Sequence, residues 1–445
     1  MVWVGLVILI LTVVALVKRL ETRMVLIAAG FVMAILSLNP MAAFNGFTEA
    51  MTNKNLVMNI VSVMGFAYVM NMTKCNAHLV HGATGVLKHV GFLLIPGAVF
   101  LTFAINIALP SAAGCAAAVG AILIPLLIGQ GVNPAMAASA VMMGTFGSML
   151  SPGLTHNIFV QDLTTKFPTW DAATKLPTAQ PVPVTVMEVI ARHSTVDIIS
   201  VVICAICLAV LAFILKEHKG YVDTEGKFGM GEKIKVNYLY ALMPAVPVLL
   251  LVFLPMIPKD VLPKGWVWIT KLGVAHCMLI GTFLGFVVTL TNPAEATKAF
   301  FTGGGKGYAD VMGIIIAAGV FTAGLKAIGL VDAGIALMKS SQHAASLAAA
   351  FGPYVLGIIT GSGDAATLAF NQAITSQAAQ FRMTIVDMGS LATLGGCLGR
   401  TMSPLAGAAI VCAGLALVNP LEILKRNWLG TTLALIVSYF VFTNM

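Results

Sequence analysis

Charged side chains are scarce in this sequence of 445 residues, which has 25 lysines and arginines and 17 aspartates and glutamates. They make up 9% of the chain, whereas about 25% is usual for a soluble globular domain. So few charges cannot cover the surface of a soluble protein of this length. This excludes soluble enzymes, disordered proteins and nucleic-acid-binding proteins. The formal net charge of +8 is then best explained by basic residues in the cytoplasmic loops of a membrane protein.

Cysteine is sparse as well, and the seven residues are scattered through apolar runs. Cys204 and Cys207 have the spacing of a redox or metal pair, but apolar residues surround them and no second ligand pair accompanies them. We interpret them as packing residues. The phosphate-binding pattern Gly-x-x-x-x-Gly-Lys-Ser/Thr is missing too, which excludes an ATP-driven pump on the same chain. We expect no metal and no cofactor other than a coupling ion.

Long apolar runs dominate the sequence. A membrane-spanning helix needs about 17–25 mostly apolar residues. Positive charges follow the first run, residues 2–17, instead of preceding it, which favours a membrane span with its N-terminus outside over a signal peptide. We predict full spans at residues 2–17, 24–38, 56–72, 135–163, 197–215, 239–257, 272–290, 312–329, 388–418 and 429–444.

Two further apolar runs, residues 91–128 and 346–379, are too long for a single crossing. Each contains a small-residue tip near its middle, Pro110 to Gly114 in the first and Thr360 to Asp364 in the second. We predict two re-entrant helical hairpins. Irregular backbone at membrane depth is tolerated only beside protein or a water-filled cavity, so both tips are cavity candidates.

The sequence also repeats itself. The segment from Gly144 to Pro152 recurs from Gly396 to Pro404 at an offset of 252, and residues 57–65 recur at an offset of 254. Both repeated segments end in Ser-Pro, and the number of residues between the hairpin tip and this Ser-Pro is the same in the two halves. The sequence therefore predicts two repeats in an all-α membrane protein, each with about five membrane helices and one re-entrant hairpin.

Their bounds are residues 1–215 and 239–445, joined by a cytoplasmic linker at residues 216–238. An odd number of spans makes the second repeat inverted, and the lysine and arginine distribution places both chain termini outside. Inverted repeats with broken helices that meet near the bilayer midplane are typical of secondary transporters.

Proline interrupts two of the predicted spans. Ser151-Pro152-Gly153 lies within span 135–163, and Ser403-Pro404 lies within span 388–418. Proline removes a backbone donor and clashes with the preceding turn, so each helix should break there, although a simple kink is the alternative. Two breaks and two tips would bring several helix N-termini to one cavity. Free N–H groups at such ends attract carboxylates and phosphates.

Arg400 strengthens the anion hypothesis because a charge deep in a span is costly unless it faces a cavity or a partner. Its guanidinium can bind a carboxylate through two parallel hydrogen bonds. The alternative is a structural ion pair with Asp162 or Asp364. His156 is either a packing histidine or a cavity residue. Coupling would then use protons through His156 or Asp364, or sodium ions held by backbone carbonyls at the tips.

The candidate substrate-binding residues occupy the tips, the breaks and the turn before the second break. They are Ser111, Ala112, Ala113, Gly114, Ser151, Pro152, Gly153, His156, Asn157, Gly361, Ser362, Gly363, Asp364, Arg400, Thr401 and Ser403. Gly361-Ser-Gly363-Asp364 also matches the Gly-x-Gly-Asp motif of intramembrane aspartyl proteases. That chemistry needs two carboxylates that share a proton, and Asp162 is a poor second partner. The repeat explains the motif better.

Three segments of the second half, 360–365, 398–407 and 420–426, resemble the DcuC-type anaerobic C4-dicarboxylate carriers. The resemblance implies an ion-transporter-superfamily fold, a homodimer and elevator-type movement in a bacterial inner membrane. It also implies uptake, exchange or efflux of succinate, fumarate and malate. The chain departs from the family pattern at Asp364, at the first tip and at Thr155-His156-Asn157. A carrier of another organic anion and a proton antiporter are the alternatives.

The predicted topology can be tested by cysteine labelling. Single cysteines at Lys227 and Lys175, in a background without native cysteines, should react from opposite sides of the membrane because an odd number of crossings separates them. The measurement is labelling of intact cells by an impermeant maleimide. Equal labelling of both positions would contradict the inverted-repeat hypothesis.

Overall fold

The computed structural model describes all residues except 19, 88–92, 223–233, 255–256, 258–262 and 334–341. The start of predicted hairpin 91–128, the middle of linker 216–238 and part of span 239–257 lie outside the described residues. The helices are α1 (Val2–Val17), α2 (Thr22–Leu36), α3 (Pro40–Met51), α4 (Lys54–Met72), α5 (Cys75–Leu87), α6 (Leu94–Ala108), α7 (Ala112–Gly129), α8 (Pro134–Gly144), α9 (Thr155–Thr164), α10 (Val186–Ile214), α11 (Tyr238–Leu242), α12 (Val246–Phe253), α13 (Val274–Val288), α14 (Pro293–Gly307), α15 (Gly313–Ala327), α16 (Gln342–Thr360), α17 (Gly363–Ala373), α18 (Ile385–Met402), α19 (Gly407–Ala416) and α20 (Pro420–Asn444).

The predicted all-α membrane class is confirmed. In the described part of the chain, the one sheet is a pair of two-residue strands, β1 (Trp170–Asp171) and β2 (Leu176–Pro177), in the loop after α9. Five helical segments of that part are long and apolar enough to span a membrane, or up to seven if bent pairs count as single spans. The sequence predicted ten spans. The numbers differ because several predicted spans form helices shorter than a full crossing, such as α1 and α2.

Two predicted boundaries are wrong. Helix α10 begins at Val186, not at residue 197, because Thr185 and Glu188 form a capping box that starts the helix ahead of the predicted span. The predicted span 312–329 is also too short. It continues α14 through a π-helical turn at Tyr308–Met312, which gives one unbroken helical segment from Pro293 to Ala327. The corresponding helices of the first half, α3 and α4, bend by 49° at their junction.

Helix contacts follow the repeat. Helix α3 of the first half packs on α15 of the second half. Its counterpart in the second half, α14, packs on α4 of the first half. Helix α2 likewise packs on α15 while α13 packs on α4. Each broken helix packs against its own hairpin, α8 against α6 and α18 against α16. Each also touches the broken helix of the other half, through the pairs α9 with α18 and α8 with α19. These reciprocal contacts place both breaks and both hairpins in one core.

Glycines permit the close contact between hairpins and broken helices. A Cβ added at Gly147 would lie 2.0 Å from the Phe103 carbonyl oxygen on α6. In the second half, a Cβ at Gly395 would lie 1.9 Å from the Ala350 oxygen on α16, and one at Gly399 would lie 2.2 Å from the Tyr354 oxygen. Small residues at helix interfaces allow such backbone approach in membrane proteins. Gly147 and Gly399, which are equivalent in the sequence repeat, are therefore packing residues, as is Gly395.

Replacing Gly395 should separate α18 from α16. We expect Gly395→Val to destabilise the fold by about 1–3 kcal/mol or more, because the added side chain meets backbone that cannot rotate away. The measurement is thermal unfolding and monodispersity in detergent. Gly414→Ala on α19 is the matched control, since nothing lies within 4 Å of its added Cβ. Equal stability of the two variants would contradict this packing.

Candidate functional site

Each predicted tip is a short turn whose serine caps the following helix. The Ser111 hydroxyl accepts a hydrogen bond from the Gly114 N–H at 3.2 Å, and α7 begins at Ala112. The Ser362 hydroxyl accepts one from the Ala365 N–H at 3.1 Å, and α17 begins at Gly363. Ala112 and Ala113 complete the first turn of α7 together with Gly114. Both tips thus end in a capped helix N-terminus.

Both Ser-Pro segments interrupt the helix. Helix α8 ends at Gly144 and α9 begins at Thr155. In this first break, the Asn157 amide donates hydrogen bonds to the carbonyls of Met149 at 2.8 Å and Ser151 at 3.1 Å. Its two other predicted residues, Pro152 and Gly153, are buried. The second break, between α18 and α19, includes Ser403 and Pro404.

Four contacts join the tips and breaks in a closed cycle. A Cβ added at Gly153 would lie 3.1 Å from Cγ of Pro110, and one at Gly407 would lie 3.6 Å from Cβ of Ala113. Gly361 has φ +73°, a conformation that favours glycine, and its added Cβ would lie 2.6 Å from the carbonyl carbon of Leu405. The fourth contact joins His156 to Asp364. The N-termini of α7, α9, α17 and α19 therefore meet at one place.

His156 and Asp364 form a contact between the two halves, which we call the central contact. His156 Nε2 lies 2.9 Å from Asp364 Oδ1, and the Asp364 side chain is 55% exposed while that of His156 is 1% exposed. The other ring nitrogen, Nδ1, lies 3.8 Å from Cys397 Sγ on α18. The carboxylate thus faces open space at the centre of the helix breaks. At the repeat offset of 252, the equivalent positions are occupied by Ala112 and Ala408, so the residues of this pair have apolar equivalents in the other half.

Arg400 lies in the last helical turn before the second break and is 9% exposed. Its Nη2 donates a hydrogen bond to the Thr145 carbonyl in the first break at 3.1 Å. Its Nη1 is buried and has no hydrogen-bond partner among the described residues. The guanidinium forms no ion pair with a described carboxylate, so the alternative of a structural pair with Asp162 or Asp364 is not supported. A Cβ added at Gly363 would lie 3.1 Å from Cβ of Arg400, which places the arginine against the second tip.

Three predicted hydroxyls already bind the protein backbone. Ser403 donates to the Ile358 carbonyl at 2.7 Å, and Thr401 donates to the Cys397 carbonyl at 2.8 Å. The Ser151 hydroxyl accepts a hydrogen bond from the Gly153 N–H at 3.3 Å. These groups hold the breaks in shape, and their role in binding a ligand stays a prediction.

Asp162 lies away from the central contact. It is six residues after His156 on α9, about 9 Å along the helix axis. Its carboxylate accepts hydrogen bonds from Lys166 at 2.7 Å and Asn53 at 2.8 Å. It lines a cavity of about 540 Å³ whose other charged lining residues are Glu49, Lys166 and Lys326. Within the described residues, Asp162 and Asp364 are not brought together as an aspartyl protease would require.

Sequence reasoning missed Thr145 and Cys397, the backbone and thiol partners of Arg400 and His156. The repeat offered a signal for both, because they occupy equivalent positions in the two glycine-rich segments. The cavity beside Asp162 was missed because α3, which lines it, was not predicted. Helix α3 has only 12 residues, so a search for apolar runs of membrane-spanning length does not find it.

Comparison with known proteins agrees with this architecture. A sequence profile of the DcuC family, the C4-dicarboxylate anaerobic carriers, matches residues 178–445. An uncharacterized transporter of Haemophilus influenzae is 38% identical over 293 residues, 65% of this chain and 98% of that protein. The anaerobic C4-dicarboxylate transporter DcuC of Escherichia coli K12 is 24% identical over 393 residues, 86% of this chain and 79% of that protein.

The chain therefore belongs to the DcuC family of C4-dicarboxylate anaerobic carriers, as its second-half motifs predicted. It is a multi-pass membrane transporter and not an enzyme. The YdaH transporter of Alcanivorax borkumensis shares the fold with a TM-score of 0.59 at 13% identity, over 90% of this chain and 86% of that one. MtrF of Neisseria gonorrhoeae shares it with a TM-score of 0.60 at 13% identity, over 92% and 83%.

The central contact can be tested by comparing the stability of single and double variants of Asp364 and His156. Asp364→Ala should lower the unfolding free energy by about 1–3 kcal/mol, because buried His156 loses its carboxylate. Changing His156 to alanine as well should restore much of this loss, since it removes the buried imidazole that would otherwise lack its carboxylate. The measurement is thermal unfolding of both variants in detergent. Additive destabilisation in the double variant would contradict the pairing.

Proposed function

We propose that this protein is a secondary active carrier of C4 diacids of the succinate, fumarate and malate type, working by uptake, exchange or efflux. Family membership supports the substrate class. The buried guanidinium of Arg400, with its unpartnered Nη1, carries the proposal for the site. A buried cation that has an unsatisfied donor and forms no ion pair with a described carboxylate favours an anion beside it.

One substrate carboxylate would bind Arg400, and free N–H groups of the four converging helix N-termini would hold the remaining oxygens. A planar guanidinium matches a carboxylate through two parallel hydrogen bonds. Asp364 faces the same space and would repel a third negative charge, which favours a diacid over a triacid such as citrate. The cycle of tips and breaks supports this arrangement because it places all four N-termini together.

Alternating access would follow an elevator-type movement, in which the hairpins and broken helices travel together as one unit. The tight glycine packing of each hairpin on its broken helix supports movement as a rigid body. We further propose the two inverted repeats at residues 1–215 and 239–445, with both hairpins re-entrant. The protein would form a homodimer in a bacterial inner membrane with both termini outside. The coupling ion would be a proton or sodium.

Transport of labelled succinate into proteoliposomes tests the function, with a sodium gradient, a pH gradient or internal unlabelled succinate as alternative driving conditions. Competition by fumarate and malate, but not by citrate or acetate, is expected. A carrier of another organic anion would leave succinate outside under every condition. Response to neither gradient, with exchange retained, would identify an obligate exchanger.

Arg400 should be essential for this transport. We expect Arg400→Ala to abolish succinate uptake and Arg400→Lys to reduce it at least about tenfold, because an ammonium lacks the planar fork of donors. Uptake per amount of reconstituted protein is the measurement. Arg192→Lys is the matched control, since Arg192 also lies in a helix and pairs with Asp387 at 2.6 Å. Full uptake by Arg400→Lys at unchanged apparent affinity would remove the bidentate role.

A further inference from the structure

A second histidine–aspartate pair lies next to the first break, on α10. His193 Nδ1 is 2.6 Å from Asp197 Oδ2, one helical turn away, and these side chains are 1% and 0% exposed. Helix α10 is one of the segments long and apolar enough to span a membrane. Ionisable side chains buried in such a helix are costly and indicate a functional role. The proposed substrate site uses neither residue.

The hydrogen-bond partners determine how many protons the pair holds. The Asn157 amide nitrogen donates to two carbonyls of the first break, so its Oδ1 is the atom that faces His193. Because Oδ1 only accepts, His193 Nε2 must donate across the 3.3 Å that separates them. The 2.6 Å contact of Nδ1 with Asp197 needs one proton as well, on the ring or on the carboxylate. The pair therefore holds two protons, one more than a neutral imidazole beside a carboxylate.

Burial favours retention of this extra proton. With it the pair is electrically neutral, whereas without it the pair carries a buried negative charge. Asp197 Oδ1 has no hydrogen-bond donor among the described residues, so an isolated carboxylate would be poorly stabilised there. Loss of the proton would also remove one of the two hydrogen bonds of His193. The pair thus links proton occupancy to the orientation of Asn157.

We propose that His193 and Asp197 form a buried proton-binding site that positions Asn157 and, through it, the first helix break. Asn157 follows His156 directly in the sequence, so the break it holds also places the central contact. With the proton bound, the break is fixed for transport. As the pH rises and the proton leaves, the restraint on Asn157 is lost and transport falls. This inference rests on the proposed diacid transport.

Other ionisable groups near α10 have different partners. Arg192 pairs with Asp387 of α18 and lies 4.4 Å from the ring centre of Phe442 on α20. Helices α6 and α8 and residues 147–150, which also pack on α10, contain no ionisable residue. The remaining ionisable groups on α10 and on the elements packed against it are Glu188, Cys204, Cys207, His156, Asp162, Cys397, Arg400, Glu422, Lys425, Arg426 and Tyr439. Among the described residues, none of these groups forms a hydrogen bond or ion pair with His193 or Asp197.

The test is the pH profile of labelled-succinate exchange in proteoliposomes with equal pH on both sides, from about pH 5 to pH 9. We expect wild-type exchange to fall several-fold as the pH rises. His193→Gln and Asp197→Asn should lose this fall, and the double variant should behave like either single one. Ser200→Ala is the matched control, because Ser200 lies one turn further on α10 and bonds Ser438 without a titratable group.

Single variants can misfold because each leaves one charge buried without its partner. The double variant His193→Gln/Asp197→Asn removes both charges, so the pH profile can still be measured if the single variants misfold. If the variants change only the rate of exchange and keep the wild-type dependence on pH, the proposal is overturned. Loss of the same fall in His156→Gln, whose ring nitrogens contact Asp364 and Cys397, would also overturn it, since that would assign the fall to the central contact.

A second measurement does not depend on transport. Nitrogen NMR of protein with ¹⁵N-labelled histidine, compared with His193→Gln to assign the signal, reports the protonation of both ring nitrogens. We expect the His193 signals to titrate as the pH rises and to change in Asp197→Asn. Signals that stay constant across the range would overturn the proton site. Failure of the wild type to carry succinate, with titration retained, would instead overturn the proposed function.

Discussion

The structure depends on satisfying backbone groups where helices are interrupted inside an apolar protein. An unpaired N–H or carbonyl in such surroundings costs several kcal/mol, at roughly the scale of the whole stability of a domain. The first half meets this requirement with asparagines. Asn106 donates to the Leu109 carbonyl at the tip and accepts from the Ser148 N–H near the break, each at 2.7 Å. Asn157 serves the carbonyls on the other side of that break.

The second half meets the same requirement with hydroxyls. Ser403 joins the break to the Ile358 carbonyl of α16, and Thr360 donates to the Leu356 carbonyl within the same helix at 2.7 Å. Gly361 then permits the turn to lie directly against Leu405. Two different sets of side chains therefore support the same backbone arrangement. This freedom allows the two halves to carry different polar groups at equivalent positions.

The side-chain chemistry at the centre accordingly differs between the two halves, although the backbone arrangement is repeated. Arg400 is equivalent to Ser148 at the repeat offset, and the pair His156 and Asp364 is equivalent to two alanines. The charged groups of the second half bind to the first, Arg400 at the Thr145 carbonyl and Asp364 at His156. The two halves are thus joined by polar contacts where their helices are interrupted. An asymmetric substrate or coupling ion would meet different groups from each half.

The sequence by itself determined the membrane class, the repeat, the places of tips and breaks, and the family, because composition and short motifs encode these locally. It did not determine the start of α10, since a capping box outweighs the apolar pattern, nor helix α3, whose polar residues face a cavity. Only the tertiary structure decided that Arg400 forms no ion pair with a described carboxylate and that His193 reaches Asn157. These facts depend on contacts between residues far apart in the chain, where side-chain direction and helix packing, not residue type, fix which groups meet.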